Sequence, residues 1–360
     1  MAANYWVSSQ RLHWQMSREK LAETRASLDT RDEKTVLAYP LPSYRHLSIY
    51  FNQQIARLGR RMQARQQALA TAQLYVRRFY TKVPIRDTNP YLVMATCLYL
   101  ALKMEECPQH IRTVVSEAKI CWPEVMPSFP EKLAETEFYV ISELNSYLIV
   151  HHPYRTLVEL TPLLGLTPED NTTSWQVIND SCVTDLPMIY PPHVIALTAI
   201  FLAVVLKPSI SQASLHAAAT AAAAAAAGGG AGGGGGGGVM GGNGNGNGSS
   251  SGGGGGSSSS NGGGGIMGGG IMGGGVMGGG VMSGSGGGES GLSASGQGPQ
   301  NRITRLIEWY AESKVDMEAI IDCTQEIISL YELWEPFTLT AAEKACKEQI
   351  CRMVKQRGIS

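Results

Sequence analysis

The sequence predicts an all-α fold. Two tandem five-helix repeats follow an N-terminal helix, with a disordered glycine-rich insert inside the second repeat. Three observations carry this prediction. Outside one segment, nearly every apolar stretch recurs at helical period, and alternating β-branched runs are scarce. Two segments are apolar almost all round, each opened by proline, and they align at an offset of 102 residues. Of the 43 glycines, forty fall between Gly228 and Gly298. Outside residues 208–301 only Gly59, Gly165 and Gly358 remain, and 29 basic residues balance 29 acidic ones, an ordinary globular density.

The elements follow in order. Residues 1–42 hold the N-terminal helix and a linker. The first repeat spans 43–150. Ser43 to Leu58 places Leu47, Phe51, Ile55 and Leu58 on one face, with Gly59 near its end. Ala64 to Tyr80 is the second helix. Asn89-Pro90 opens the third, because proline suits a first helical turn. Tyr91 to Met104 is apolar almost all round, the mark of a buried central helix, and its first charge is Lys103. Gln109 to Lys119 is a shorter helix, and Pro130 opens a fifth that runs to Leu148.

The second repeat covers 151–207 and 302–336. His152-Pro153 starts a helix to Leu164, Thr173 to Tyr190 gives another, and Pro191-Pro192 starts the apolar Val194 to Leu206. Arg302 to Lys314 and Asp316 to Trp334 complete the set, and 337–360 forms a C-terminal helix or tail. The offset pairs Pro90 with Pro192, Val93 with Ile195, Leu98 with Ile200 and Ala101 with Ala203. Each repeat therefore wraps its helices around one buried apolar helix. The insert, 208–301, carries poly-Ala at Ala221 to Ala227 and an Ile/Val-Met-Gly-Gly-Gly repeat from Ile266 to Met282. Glycine at that density cannot hold helix or strand against chain entropy. Closing so long a loop costs only about 2–3 kcal/mol more than closing a short one, so a fold tolerates it. The poly-Ala tract is placed to extend the preceding helix.

Composition narrows the function. A net charge of −1 argues against a dedicated nucleic-acid binder. No apolar run is long enough to span a bilayer, and Met1 to Arg11 does not read as a secretory signal. Seven cysteines, none in a CxxC pair, fit a reduced intracellular compartment and core thiols. Cys346 and Cys351 share a helical face but lack further ligands, and His151-His152 reads as linker, so no metal and no cofactor is expected. The glycine tract lacks the Lys-Ser/Thr ending of a phosphate loop, and no nucleophile–base set is present.

Several strings resemble the cyclin family, more narrowly the C-type cyclins of the Mediator kinase module. Met1-Ala-Ala-Asn-Tyr-Trp-Val-Ser-Ser-Gln with Trp14 resembles that family's N-terminal helix. Arg65-Gln-Gln-Ala-Leu-Ala-Thr-Ala, Tyr75-Val-Arg-Arg-Phe-Tyr80 and Leu100-Ala-Leu-Lys-Met-Glu-Glu106 resemble the second and third helices of a cyclin box. Leu148-Ile-Val-His-His-Pro-Tyr-Arg155, Thr184-Asp-Leu-Pro-Met-Ile-Tyr-Pro-Pro192, Trp309-Tyr-Ala-Glu-Ser-Lys-Val-Asp316 and Leu330-Tyr-Glu-Leu-Trp334 continue the likeness. It spans the chain except the insert and about Asp29 to Leu41.

The resemblance implies two cyclin boxes and a nuclear, non-catalytic activator of a Mediator-associated cyclin-dependent kinase, in company with other Mediator subunits. The alternatives are another transcription-type cyclin with a different kinase, or a DNA-binding factor of the transcription factor IIB type. The latter expects a zinc ribbon and basic repeats, and both are missing. In the family a lysine late in the third helix and a glutamate in the fifth grip the kinase, which fixes the glutamate of its own Lys–Glu pair. Carried over, these are Lys103 and Glu137. The residues agree. Glu137 sits at the centre of the stripe Leu133, Val140, Ile141, Leu144 and Leu148, where a carboxylate is costly unless paired. Taken alone, Lys103 also suits a helix C-terminus, and Glu137 also suits an internal ion pair or an exposed edge of the stripe.

Around that pair, Glu105 and Glu106 are either contacts to kinase arginines or a solvated helix end. Phe138, Tyr139 and Tyr147 are either interface aromatics or core, and Trp6 and Trp14 pack on the body or on the kinase. Arg57, Arg60, Arg61 and Arg65 form a basic cluster, either a partner or phosphate contact or a solvated face. Three departures from cell-cycle cyclins matter. Leu47-Ser-Ile-Tyr-Phe51 with Gln54 replaces their substrate-docking patch and its tryptophan, which puts that docking in doubt. Arg77 stands where they carry an acid, so their internal Arg–Asp bridge is expected to be absent. Val205 stands where Lys103 stands in the first repeat, so only the first repeat is expected to grip a kinase.

Overall fold

The computed structural model describes residues 4–205, 299–339 and 341–359, and its regular secondary structure is helical throughout those residues. Almost all of the glycine-rich insert, including the poly-Ala tract, lies outside the described residues.

The N-terminal stretch differs from expectation. Tyr5–Val7 is a 3-10 turn and Gln10–Trp14 a π-helical turn, and the first α-helix, α1, is Arg18–Asp29. Ser17 caps it by accepting from the Lys20 N–H. A short α2, Glu33–Ala38, follows.

The first repeat comprises α3 (Tyr44–Arg61), α4 (Gln66–Phe79), α5 (Pro90–Met104), α6 (Ile111–Cys121) and α7 (Pro130–Glu143). Ser43 caps α3, and Asn89 caps α5 with Pro90 in its first turn. α5 packs against α3, α4, α6 and α7, and Tyr91 to Leu98 is buried without a break, as an all-round apolar helix requires. Gly59 lies inside α3 where α4 crosses it, and a Cβ there would meet Leu69 Cδ2 at 2.2 Å. α7 ends five residues before the expected Leu148. Asn145 and Ser146 take positive φ, which breaks the helical path although the apolar spacing continues.

The second repeat comprises α8 (Tyr154–Leu164), α9 (Pro168–Ser181), the single turn α10 (Leu186–Ile189), α11 (Pro192–Val205), α12 (Pro299–Glu312) and α13 (Met317–Leu339). α9 starts five residues before the expected Thr173. Thr167 and Asp170 form a reciprocal capping box with Pro168 between them, a signal outside the apolar period. α12 begins at Pro299, within the range assigned to the insert. α11 takes the central role, against α8, α9, α12 and α13.

The last helix, α14 (Ala342–Arg357), returns to the first repeat. It buries Cys346, Ile350, Met353 and Val354 in the core that α3 and α5 share. Burying each of the larger side chains is worth about 1.5–3 kcal/mol.

Candidate functional site

Lys103 occupies the last turn of α5 and Glu137 the middle of α7. The packing of those two helices brings Lys103 Nζ onto Glu137 Oε1 as an ion pair. The lysine side chain is 37% exposed and the carboxylate 12%. Glu137 Oε1 is buried and accepts no hydrogen bond from a backbone or hydroxyl group, so its stabilisation rests on the lysine. Lys103 Nζ also lies 4.5 Å from the centre of the Tyr99 ring. An ammonium has three donors, and this exposure leaves part of it open to a partner.

Phe138, next on α7, is 74% exposed and not core. Tyr139 is divided. Its ring edge meets Phe79 at 5.4 Å while much of it faces water. Met104 and Ile149 are further exposed apolar side chains, from the end of α5 and from the segment after α7. Neither stood out in the sequence, because Met104 ends an apolar helix and Ile149 follows the last helical turn of α7. An exposed phenylalanine is the type of side chain that anchors interfaces.

Glu106 is exposed, in the left-handed region just past the end of α5. Glu105 turns inward. Its carboxylate accepts from Gln67 Nε2 and Thr71 Oγ1, both at 2.6 Å, and lies 3.7 Å from His152 Nε2. Burial pushes its pKa up, but hydrogen bonds from His152, Thr71 and Gln67 outweigh that and hold it below the usual value. Glu105 thus ties α5 to α4 and to the inter-repeat linker.

Tyr147 is half-buried and stacks on His13, with ring centres 4.6 Å apart. Trp6 is exposed, its ring 5.6 Å from that of His193 at the start of α11. Trp14 is core, with the Arg78 guanidinium and the Lys82 ammonium both near its ring. The structure therefore brings Lys103 and Glu137 together, with exposed Phe138 next to Glu137 in the sequence of α7. It places Tyr147 and Trp6 along the N-terminal segment and withdraws Glu105 into the chain.

Two buried arginines of α4 carry features that the helical pattern did not expose. Arg77 pairs with Asp185 of the second repeat, a bridge of different make from the cell-cycle one, with the arginine on α4 and the acid on another element. Two adjacent arginines on the stretch that follows Leu74 were the available signal. Arg78 is fully buried, has one long hydrogen bond to the Tyr147 carbonyl, and leaves Nε and Nη2 unpartnered. Burial lowers its pKa to about 10.

The cell-cycle docking patch has no exposed apolar counterpart here. Leu47 and Phe51 are buried, and Gln54 accepts from Trp122 Nε1 at 2.9 Å. Of the basic cluster, Arg61 pairs with Glu117, and Arg57 lines a cleft of about 550 Å³ beside α14. Val205 ends α11 half-buried. Among the described residues no three His, Cys, Asp or Glu side chains converge as a metal site, and no helix is long and apolar enough to cross a membrane.

Residues 16–149 match the family profile of the cyclin N-terminal domain. An RNA polymerase II holoenzyme cyclin-like subunit of Chaetomium globosum is 53% identical, over 100% of this chain and 100% of that protein. The protein so described from Aspergillus terreus is 48% identical, over 100% of this chain and 99% of its own length. A chain of the solved CAK complex from Chaetomium thermophilum is 23% identical with a TM-score of 0.46, covering 55% of this chain and 68% of that chain.

Proposed function

The chain belongs to the cyclin family, and from that premise we propose that it is the non-catalytic regulatory subunit of a nuclear cyclin-dependent kinase acting on RNA polymerase II transcription. More narrowly, it serves in the Mediator kinase module, with Mediator subunits as further partners. Activation is positional. Docking of the first repeat seats the kinase helix whose glutamate pairs with the ATP-orienting lysine.

The observation that carries this reading is the Lys103–Glu137 pair, joined across α5 and α7, with the lysine partly open to solvent and exposed Phe138 next to Glu137 in the sequence. In that arrangement each charge neutralises the other. The free N–H groups and carboxylate lone pairs remain for backbone groups of a partner. The relatives named for the RNA polymerase II holoenzyme support the transcriptional setting.

The test is to purify the chain from its own cells and identify the bound kinase, for wild type, Lys103→Glu and Glu137→Ala. Loss of a Mediator-type kinase in both variants, with an unchanged thermal melt, is expected. Undiminished kinase recovery with both variants defeats the site, and recovery of promoter DNA without a kinase defeats the function.

A further inference from the structure

We propose that the outer face of α13 is a docking surface for a basic amphipathic helix of a second protein, separate from the kinase-binding site. Met317, Ile321 and Ile328 are 42%, 53% and 37% exposed. Gln325, Glu332 and Glu335 are exposed on the same helix. At about 100° per residue these six positions fall within about 80° of arc, a single stripe about 27 Å long. It is apolar toward the N-terminal end and acidic toward the C-terminal end.

The charge pattern selects the occupant. α13 carries Glu318, Asp322, Glu326, Glu332 and Glu335, and no lysine or arginine. Asp322 and Glu326 are neutralised by Arg18 and Arg45. Glu318, Glu332 and Glu335 have no ion-pair partner in the described structure. Glu332 and Glu335 also lie toward the negative end of the helix dipole, where cations are favoured and carboxylates are not. A partner helix with its own apolar stripe covers the three exposed apolar side chains. Lysines or arginines flanking that stripe relieve the unpaired carboxylates. An acidic or neutral helix would bury charge without compensation.

The test titrates the full chain, by fluorescence anisotropy, into a designed labelled peptide of about 18 residues, long enough to match the stripe. The peptide is helical with a leucine stripe flanked by lysines, and a control carries glutamates in their place. Saturable binding of the lysine peptide and not of the control is expected. Ile321→Asp with Ile328→Asp weakens it at least about tenfold. Glu332→Lys with Glu335→Lys also weakens it and flattens its salt dependence. The second pair changes only exposed charges, so it carries the test if the first pair fails to fold. Lys103→Glu leaves peptide binding unchanged, and the α13 variants leave kinase recovery unchanged, which separates this surface from the kinase site. The proposal is overturned if the lysine peptide does not bind, if the control binds equally, or if the folded variants bind as wild type does. It is also overturned if sedimentation shows a dimer of this chain that the Ile321→Asp, Ile328→Asp variant dissolves, because the occupant is then a second copy.

Discussion

Arg77 of α4 and Asp185, just ahead of α10, form an ion pair at 2.6 Å that joins the two repeats. The same guanidinium donates to Ser48 Oγ and to the Cys182 and Val183 carbonyls. Arg25 of α1 closes the other side of the carboxylate with two hydrogen bonds. One aspartate thus anchors the N-terminal helix, the first repeat and the second repeat together.

Asp185→Asn should destabilise the fold by ~3 kcal/mol, because Arg77 is left buried with its charge uncompensated. Arg25→Ala should cost less, ~1 kcal/mol, because that guanidinium is partly exposed and meets water when released. Denaturant unfolding of the two variants against wild type measures both.

The same carboxylate gives a pH signature. Its pKa reflects a burial penalty outweighed by Arg25 and Arg77, which hold it at about 2. The folded value lies below the unfolded value of about 3.9, so the stabilisation is present above about pH 5 and is lost as pH falls toward 2. The stability gap between wild type and Asp185→Asn should therefore narrow on acidification from pH 5 to 3. A gap independent of pH would remove Asp185 from this role.

The two adjacent arginines should respond oppositely to an apolar replacement of similar length. Arg77→Met discards the Asp185 ion pair and the hydrogen bonds to Ser48, Cys182 and Val183, and leaves Asp185 with Arg25 as its ion-pair partner, costing ~3 kcal/mol. Arg78→Met removes a buried cation with two unpartnered nitrogens and should be neutral or stabilising. Melting temperatures of the two single variants decide the comparison.

Phe138→Ala should weaken kinase association at least about tenfold, ~1.4 kcal/mol or more, as truncation of a central interface aromatic does. Its exposure means that folding loses little, so the thermal melt should stay within a degree or two, as for other surface substitutions. Equal affinity of the variant for the purified kinase would place Phe138 outside the interface.

Deleting residues 213–296 should leave kinase recovery intact. The segment belongs to a connection in the second repeat, whereas Lys103, Glu137 and Phe138 stand on α5 and α7. The deletion stops short of Pro299 because α12 begins there. Loss of soluble protein on deletion would show that the segment contributes to folding.

Helices were legible where local rules governed them. The proline-led apolar runs became α5 and α11, and Lys103 sits at the end of α5 as the break in its apolar pattern suggested. Boundaries went astray where a cap or a positive φ overrode the apolar period, at Thr167 and at Asn145. The inward turn of Glu105 and the burial of Arg77 and Arg78 were hidden, because their partners belong to distant elements.

The sequence by itself determined the helical class, the apolar helix at the heart of each repeat and the anomaly of a carboxylate in the α7 stripe. All of these are local, since helical period and first-turn chemistry act over a few residues. Only the tertiary structure decided that Lys103 meets Glu137, that Phe138 faces water and that Asp185 holds three elements together. Those outcomes depend on how helices far apart in the chain cross and rotate, which packing of the shared cores sets and no short stretch of sequence encodes.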